Sequence, residues 1–323
     1  MISVIVPVYN EQKNIAALIE SILNQPFKDY ELVIVDDCST DKTTEIIKKY
    51  KEAKFIQLEK NSGPAKARNT GVENAKGDII LLLDSDVIIH KDVLEKVDEF
   101  FKKNKDAISL IGIYSKDPIN KGFIPKFKAL LEYFISTGSN LKTTTSFEPR
   151  CGAVKTQVFR EIGGFDTRFS GADVEDYEFG YRLLKKGPIH MNASIQVDHN
   201  FPYLKSLFKN YLKRGYQWFC LFLSRKKFDN VGTTSEAAFS RGSSFLSLIL
   251  LAASTFYFSF IYFALLFFII GLIGNIKFYR LILKETNIYF LCKAIVIDYT
   301  LSVLLGISAT AAILTYPFKK KII

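Results

Sequence analysis

The chain has 323 residues and a net charge of +10, from 43 Lys and Arg against 33 Asp and Glu. That length suits one sizeable domain plus an accessory region. The basic excess favours anionic partners such as a nucleotide or an acidic membrane surface, and its scatter along the chain argues against nucleic acid. Cys38, Cys151, Cys220 and Cys292 have no metal-type spacing and read as reduced structural thiols of a cytosolic compartment.

The N-terminal segment has neither a charged leader nor a long apolar core, so it reads as a strand over Ile2–Val6, closed by Pro7, and not as a signal peptide. Apolar residues at helical spacing predict a helix over Asn14–Leu23. A buried strand over Tyr30–Val35 then runs into Asp36 and Asp37. A helix over Thr43–Tyr50, a strand over Lys54–Leu58 and a helix over Ala65–Ala75 lead to a third buried strand, Ile79–Leu83. Val93–Phe101 adds a helix and Ala107–Ile113 a strand. Alternation at these spacings predicts a doubly wound α/β domain. From Ser115 to Arg150 the pattern loosens, with one helix expected near Phe127–Phe134.

The Ile79–Leu83 run ends in Asp84–Ser85–Asp86. Carboxylates at the carboxyl end of a buried parallel strand lie on the rim where open α/β sheets bind ligands. Two of them one residue apart can grip a hard divalent cation and, through it, a diphosphate; the competing reading is a solvated strand-end turn.

The second part of the chain changes character. Over Phe201–Leu223, apolar and aromatic residues interleave with Lys205, Lys209, Lys213 and Arg214. Such a stripe suits a helix lying in a membrane interface, or an ordinary amphipathic helix packed on the domain. No charge occurs between Arg241 and Lys277, and a second apolar run covers Tyr299–Tyr316. The first run exceeds the roughly 20 apolar residues needed to cross a bilayer. An integral membrane protein with two or three spanning helices is expected, with Asp298 at the interface. Arg225, Lys226, Lys227 and Arg241 place the α/β domain on the cytosolic side of the cell membrane. The expected division is 1–200 for the α/β domain, 201–240 for a juxtamembrane region and 241–323 for the membrane region with its basic tail.

Six ordered segments carry a family likeness: Val4–Glu11, Val33–Asp41, Asn61–Asn69, Asp84–Asp86 and, further on, Gly163–Asp166 with Glu175–Arg182. Together they resemble the family 2 glycosyltransferases of the GT-A fold, over about residues 1–200. The resemblance implies a GT-A nucleotide-sugar-binding (Rossmann-like) domain, followed by an amphipathic interfacial helix and transmembrane helices. It implies donor binding by Pro7, Tyr9, Glu11, Asp36, Asp37, Gly63, Arg68, Asp84 and Ser85, with one of the Asp36–Asp37 pair central. It implies a site for Mg²⁺ or Mn²⁺ formed by Asp84 and Asp86, with Asp86 ligating the metal directly and Asp84 nearer the donor ribose, and His199 as a further candidate ligand. Asp176 is the expected base, with Asp173 and Glu175 as runners-up, in a single displacement that inverts the anomeric centre. Glu178 and Arg182 are expected to fix the helix that carries the base. The implied reaction moves one sugar from a nucleotide-diphosphate donor to a lipid-linked acceptor, either polyprenyl phosphate or a lipid-linked glycan. A processive polysaccharide synthase is the alternative within the class, though no Gln-x-x-Arg-Trp motif is present. A non-catalytic scaffold that tethers a nucleotide-binding domain to the membrane is the alternative outside it.

Overall fold

The first strand, β1 (Ile2–Val8), is buried along its whole length. It lies between two strands of the same type, parallel to both β2 (Tyr30–Asp36) and β4 (Ile79–Leu83). Such unbroken apolar runs are what a strand covered on both faces requires. The computed structural model describes residues 1–138, 141–169 and 174–318.

The helix α1 (Ile15–Leu23) follows β1; the short helix α2 (Thr43–Ile47) and the strand β3 (Ala53–Gln57) follow β2. The helix α3 (Pro64–Glu73) returns the chain to β4. A three-residue strand β5 (Val87–Ile89), a helix α4 (Val93–Lys103) and a strand β6 (Ser109–Tyr114) come next. After the helix α5 (Phe123–Thr137), the chain adds β7 (Thr143–Thr144), β8 (Cys151–Lys155), α6 (Thr156–Glu161), α7 (Glu175–Leu184) and β9 (Ile189–His199). The sheet order is β3-β2-β1-β4-β8-β6-β9-β5, with β7 also paired to β9.

The sheet departs from the expected parallel pattern at β8, which runs antiparallel to both β4 and β6. Cys151–Lys155 is short and contains Gly152, so no apolar run announces it. A Cβ on Gly152 would fall 2.6 Å from the Phe147 ring, so this strand needs the smallest side chain there. The helix α3 sits equally tightly on β1: a Cβ on Gly71 would fall 2.3 Å from Ile5. Phe147, Phe159, Phe165 and Phe179 join the aliphatic residues of β1, β2 and β4 in one core.

The chain divides into two compact units, residues 1–121 with 139–200 and residues 122–138 with 201–323. The expected helix near Phe127–Phe134 thus exists, is longer than expected, and belongs to the second unit.

In that unit the helix α8 (Leu204–Arg225) carries its apolar stripe against the last helix, α12 (Ile288–Thr315). Between them lie α9 (Ser235–Ala253), α10 (Phe260–Gly274) and α11 (Ile276–Glu285). The uncharged run after Arg241 is therefore not one long helix. It is a hairpin of α9 and α10, closed along small residues: Ser240 Oγ donates to the Gly271 carbonyl at 3.1 Å, and a Cβ on Gly271 would fall 2.3 Å from Ser244 Oγ. Composition alone carries no sign of that break, which falls at 254–259.

At 15 residues, α10 rises only about 22 Å, short of a roughly 30 Å hydrocarbon core. Among the described residues one helix, Ile288–Phe318, is long and apolar enough to cross a membrane; α10 and α11, bent by 58°, would make two if counted as one span. The helix α12 begins well before the expected Tyr299, so Asp298 lies within it. Its carboxylate is 2% exposed and accepts a hydrogen bond from the Tyr279 hydroxyl at 2.8 Å, which lets a carboxylate sit among apolar helices.

Candidate active site

Because β1, β2 and β4 are parallel and in register (Val8 opposite Asp36, Ile5 opposite Leu82), their carboxyl ends open on one rim. Tyr9 and Glu11, Asp36 and Asp37, and Asp84–Ser85–Asp86 all follow from those ends. Pro7 is buried within β1, while Tyr9, just past its end, is 45% exposed.

Asp36 and Asp37 are both buried, where only one was expected to be central, and each serves different neighbours. Asp36 accepts hydrogen bonds from the Ser39 amide (3.1 Å), the Thr44 hydroxyl (2.7 Å) and the Gln57 side-chain amide (3.1 Å). Asp37 accepts from the backbone amides of Ser62 (2.7 Å) and Gly63 (2.8 Å). These two amides immediately precede α3, which starts at Pro64 with Gly63 at φ 88°. A left-handed φ at this position favours glycine, and the fixed ring of Pro64 then suits the first helical position. The acidic pair thus shapes the loops that surround the rim.

Arg68, one turn into α3, reaches across the site with a divided grip. One terminal nitrogen donates to Asp84 at 3.0 Å and the other to Glu175 at 3.1 Å. Its guanidinium also lies 5.3 Å from the centre of the Phe165 ring. Burial would discharge Arg68, but Asp84 and Glu175 more than offset this and hold it charged. Burial pushes the Glu175 carboxyl up, and neighbouring Asp176 pushes it further, against the pull of Arg68. Glu175 is only 4% exposed. Asp176 is less deeply buried and accepts from the Tyr177 amide at 2.9 Å. Asp173 lies outside the described residues.

Asp86 is placed by a second part of the sheet. It directly precedes β5, and the register of β5 on β9 sets Val87 opposite His199. Asp86 Oδ2 and His199 Nε2 consequently lie 3.1 Å apart. Burial raises the Glu11 carboxyl; the hydrogen bond from Asn14 opposes this, and the charges of Asp86 and Asp41 add to the rise. Carboxylate and imidazole are both donors that Mg²⁺ or Mn²⁺ accepts. Among the described residues no three His, Cys, Asp or Glu side chains converge on one point, so the chain would supply part of a coordination shell and a ligand the remainder. The Asp84 carboxylate is turned toward Arg68 and not toward that pair.

Residues 3–212 match the family model described as glycosyl transferase family 2. The chain belongs to this family. Its mixed sheet is that of the GT-A fold. It is 32% identical over 187 residues to an uncharacterized glycosyltransferase of Haemophilus influenzae, covering 58% of this chain and 63% of that one. It is 43% identical over 115 residues to the poly(ribitol-phosphate) beta-N-acetylglucosaminyltransferase TarS of Staphylococcus aureus, covering 34% of this chain and 20% of TarS. The chain thus spans between a fifth and just under two thirds of these curated relatives. Among solved structures it is similar in fold to the mannosyltransferase PcManGT of Pyrobaculum calidifontis, with a TM-score of 0.60 at 15% identity, covering 99% of this chain and 87% of that one.

Further residues, not singled out by their sequence pattern, pack around the rim. The Asn69 side chain makes a two-way clamp on Phe165, donating to its carbonyl and accepting from its amide, both at 2.8 Å. The clamp fixes the Gly163–Gly164 turn, where both glycines have positive φ, against α3. Tyr114 packs against His199 with ring centres 4.6 Å apart, and the Arg150 guanidinium lies 4.0 Å from the Tyr114 ring centre. Asn69 stood within a quoted motif and could have been singled out. Tyr114 and Arg150 flank a stretch without pattern, and only the fold brings them together. Glu178 and Arg182 bond one another at 2.6 Å along α7, and Arg182 also donates to the Ile162 carbonyl.

Proposed function

We propose that this glycosyltransferase moves a single sugar from a nucleotide-diphosphate donor to a lipid-linked acceptor, polyprenyl phosphate or a lipid-linked glycan, with inversion at the anomeric carbon. The observation that carries this reading is the divided grip of Arg68. One buried cation joins Asp84 on the donor rim to Glu175 beside Asp176 on α7, so both halves of a displacement reaction meet in one site.

In this reading Tyr9 and the loops shaped by Asp36, Asp37 and Gly63 receive the nucleotide, with Pro7 and Glu11 flanking it. Asp84 and Ser85 face the ribose and diphosphate. Asp86 and His199 hold Mg²⁺ or Mn²⁺, which supplies charge neutralisation for the departing diphosphate. Asp176 takes the acceptor hydroxyl proton as the new bond to the anomeric carbon forms. The bond from that carbon to the diphosphate oxygen breaks, and its electron pair leaves with the nucleotide. Glu175 is poorly suited to that role because it is buried and already bonded to Arg68. A nucleotide-sugar donor agrees with the structural relative PcManGT, whose structure is of a complex with GDP-Man and Mn²⁺.

The second unit is read as the membrane anchor, with the catalytic unit on the cytosolic face. Its support is α12, long enough to cross a bilayer, and the exposed aromatic tip of the α9–α10 hairpin.

The test uses the purified chain, a panel of UDP-, GDP- and dTDP-sugars, and either cation. Asp86→Ala is expected to abolish metal-dependent turnover, and Asp176→Asn to lower kcat by about 10²–10⁴-fold with donor binding retained. Unchanged turnover in Asp86→Ala removes the metal assignment. Full activity in Asp176→Asn moves the base elsewhere on this segment, and an absence of donor binding across the whole panel favours a scaffold.

A further inference from the structure

The first turns of α5 and α12 enclose a cleft of about 440 Å³, lined by Phe123, Lys126, Asn287, Tyr289, Phe290 and Lys293 among others. Every lining residue belongs to the second unit. The Lys293 ammonium is held over two of the aromatic walls, 4.4 Å from the Phe123 ring centre and 5.1 Å from that of Tyr289. Phe123 and Phe290 in turn pack together with centres 4.6 Å apart, so the cation rests on an ordered aromatic floor. Cation–π contacts orient an ammonium without neutralising it. Among the described residues no carboxylate forms an ion pair with Lys293, and none lines the cleft.

The helix leading into this cleft has the complementary character on its outside. In α11, Phe278, Tyr279 and Ile282 are buried, while the exposed residues mix the cations Lys277, Arg280 and Lys284 with the apolar Ile276 and Leu283. α11 leaves the apolar α10 at a 58° bend, as a helix does when it turns from a hydrocarbon core into the interface plane.

We infer that this cleft binds the headgroup of an anionic phospholipid, its phosphate on Lys293 and its glycerol and first methylenes on Phe123, Tyr289 and Phe290, with the cations of α11 facing the same anionic leaflet. The inference rests on the membrane reading of the second unit. The aromatic walls favour an amphiphile over a bare anion.

The test uses the full chain in a neutral detergent and follows its melting temperature with added phosphatidylglycerol, phosphatidylcholine, inorganic phosphate or a polyprenyl phosphate. Phosphatidylglycerol is expected to raise the melting temperature by roughly 2–4 °C or more, and phosphatidylcholine to leave it unchanged. Lys293→Gln should remove most of that rise, measured against its own lipid-free melting temperature. Equal effects of the two phospholipids, or a full response in Lys293→Gln, overturn the proposal. It is also overturned if inorganic phosphate reproduces the rise, or if the polyprenyl phosphate response is the one that Lys293→Gln abolishes. Flotation with neutral phosphatidylcholine vesicles separates the two levels. A chain that does not float overturns the membrane reading and the cleft with it, whereas a chain that floats without a response specific to phosphatidylglycerol overturns the cleft alone.

Discussion

Arg68 has no equivalent substitute. A lysine could reach Asp84 or Glu175 but not both, because a compact ammonium lacks the planar fork that addresses two carboxylates at once. Arg68→Ala would leave Glu175 buried without its cation, and removing one partner of a buried pair destabilises by about 3–5 kcal/mol. Urea unfolding of the variant should show that loss. Arg68→Lys should fold and lose turnover, and wild-type turnover in it would detach the residue from the chemistry. Arg68 was recognisable in the sequence because it belongs to an ordered motif. Its contact with Glu175 was not, since 107 positions separate the two and no local pattern reports such a pairing. His199 presents the opposite case: a lone histidine says little until the register of β5 on β9 sets it against Asp86.

At the scale of elements, the strands that a sequence reveals are those buried on both faces. β1, β2 and β4 show themselves as apolar runs, while β5, β7 and β8 are too short or too rich in glycine and threonine to do so. The α9–α10 hairpin was hidden for a different reason: apolar composition measures affinity for a membrane, not where a helix breaks. Glu31 shows how neighbouring strands are tied at their amino ends. Its carboxylate accepts from the Ser3 hydroxyl and the Lys76 amide, both at 2.6 Å. Burial would raise its pKa, but these hydrogen bonds outweigh it and hold the group below the usual carboxylate range. A pKa lowered in the folded state gives stability that is present above the unfolded value and lost as pH falls through the folded one. Glu31→Gln should therefore cost about 1 kcal/mol near neutrality and less below about pH 4, read as a flatter acid limb in melting temperature against pH.

For the molecule as a whole, the charge of +10 and the exposed apolar surface point to the same surroundings. At the hairpin tip Phe256 is 84% exposed, with Tyr257 and Phe258 beside it nearly as open. Replacing all three with serine should weaken partition onto neutral vesicles by about 3 kcal/mol or more, given roughly 1.5–3 kcal/mol for each large apolar side chain removed from water. Flotation measures this directly, and unchanged binding would place the membrane contact elsewhere.

The sheet order has a consequence for how the chain is made. β4 waits for β8, which the ribosome delivers some 70 residues later, and β5 waits for β9, more than 100 residues later. Until then β1 to β4 can assemble only with one edge of the sheet unprotected, and the rim lacks Glu175 and His199. A nascent chain at that stage has no assembled site for a nucleotide to stabilise, and it presents an open strand edge to its neighbours on the polysome. Slowed translation between β4 and β9 would prolong that interval, and aggregation during synthesis would rise with it.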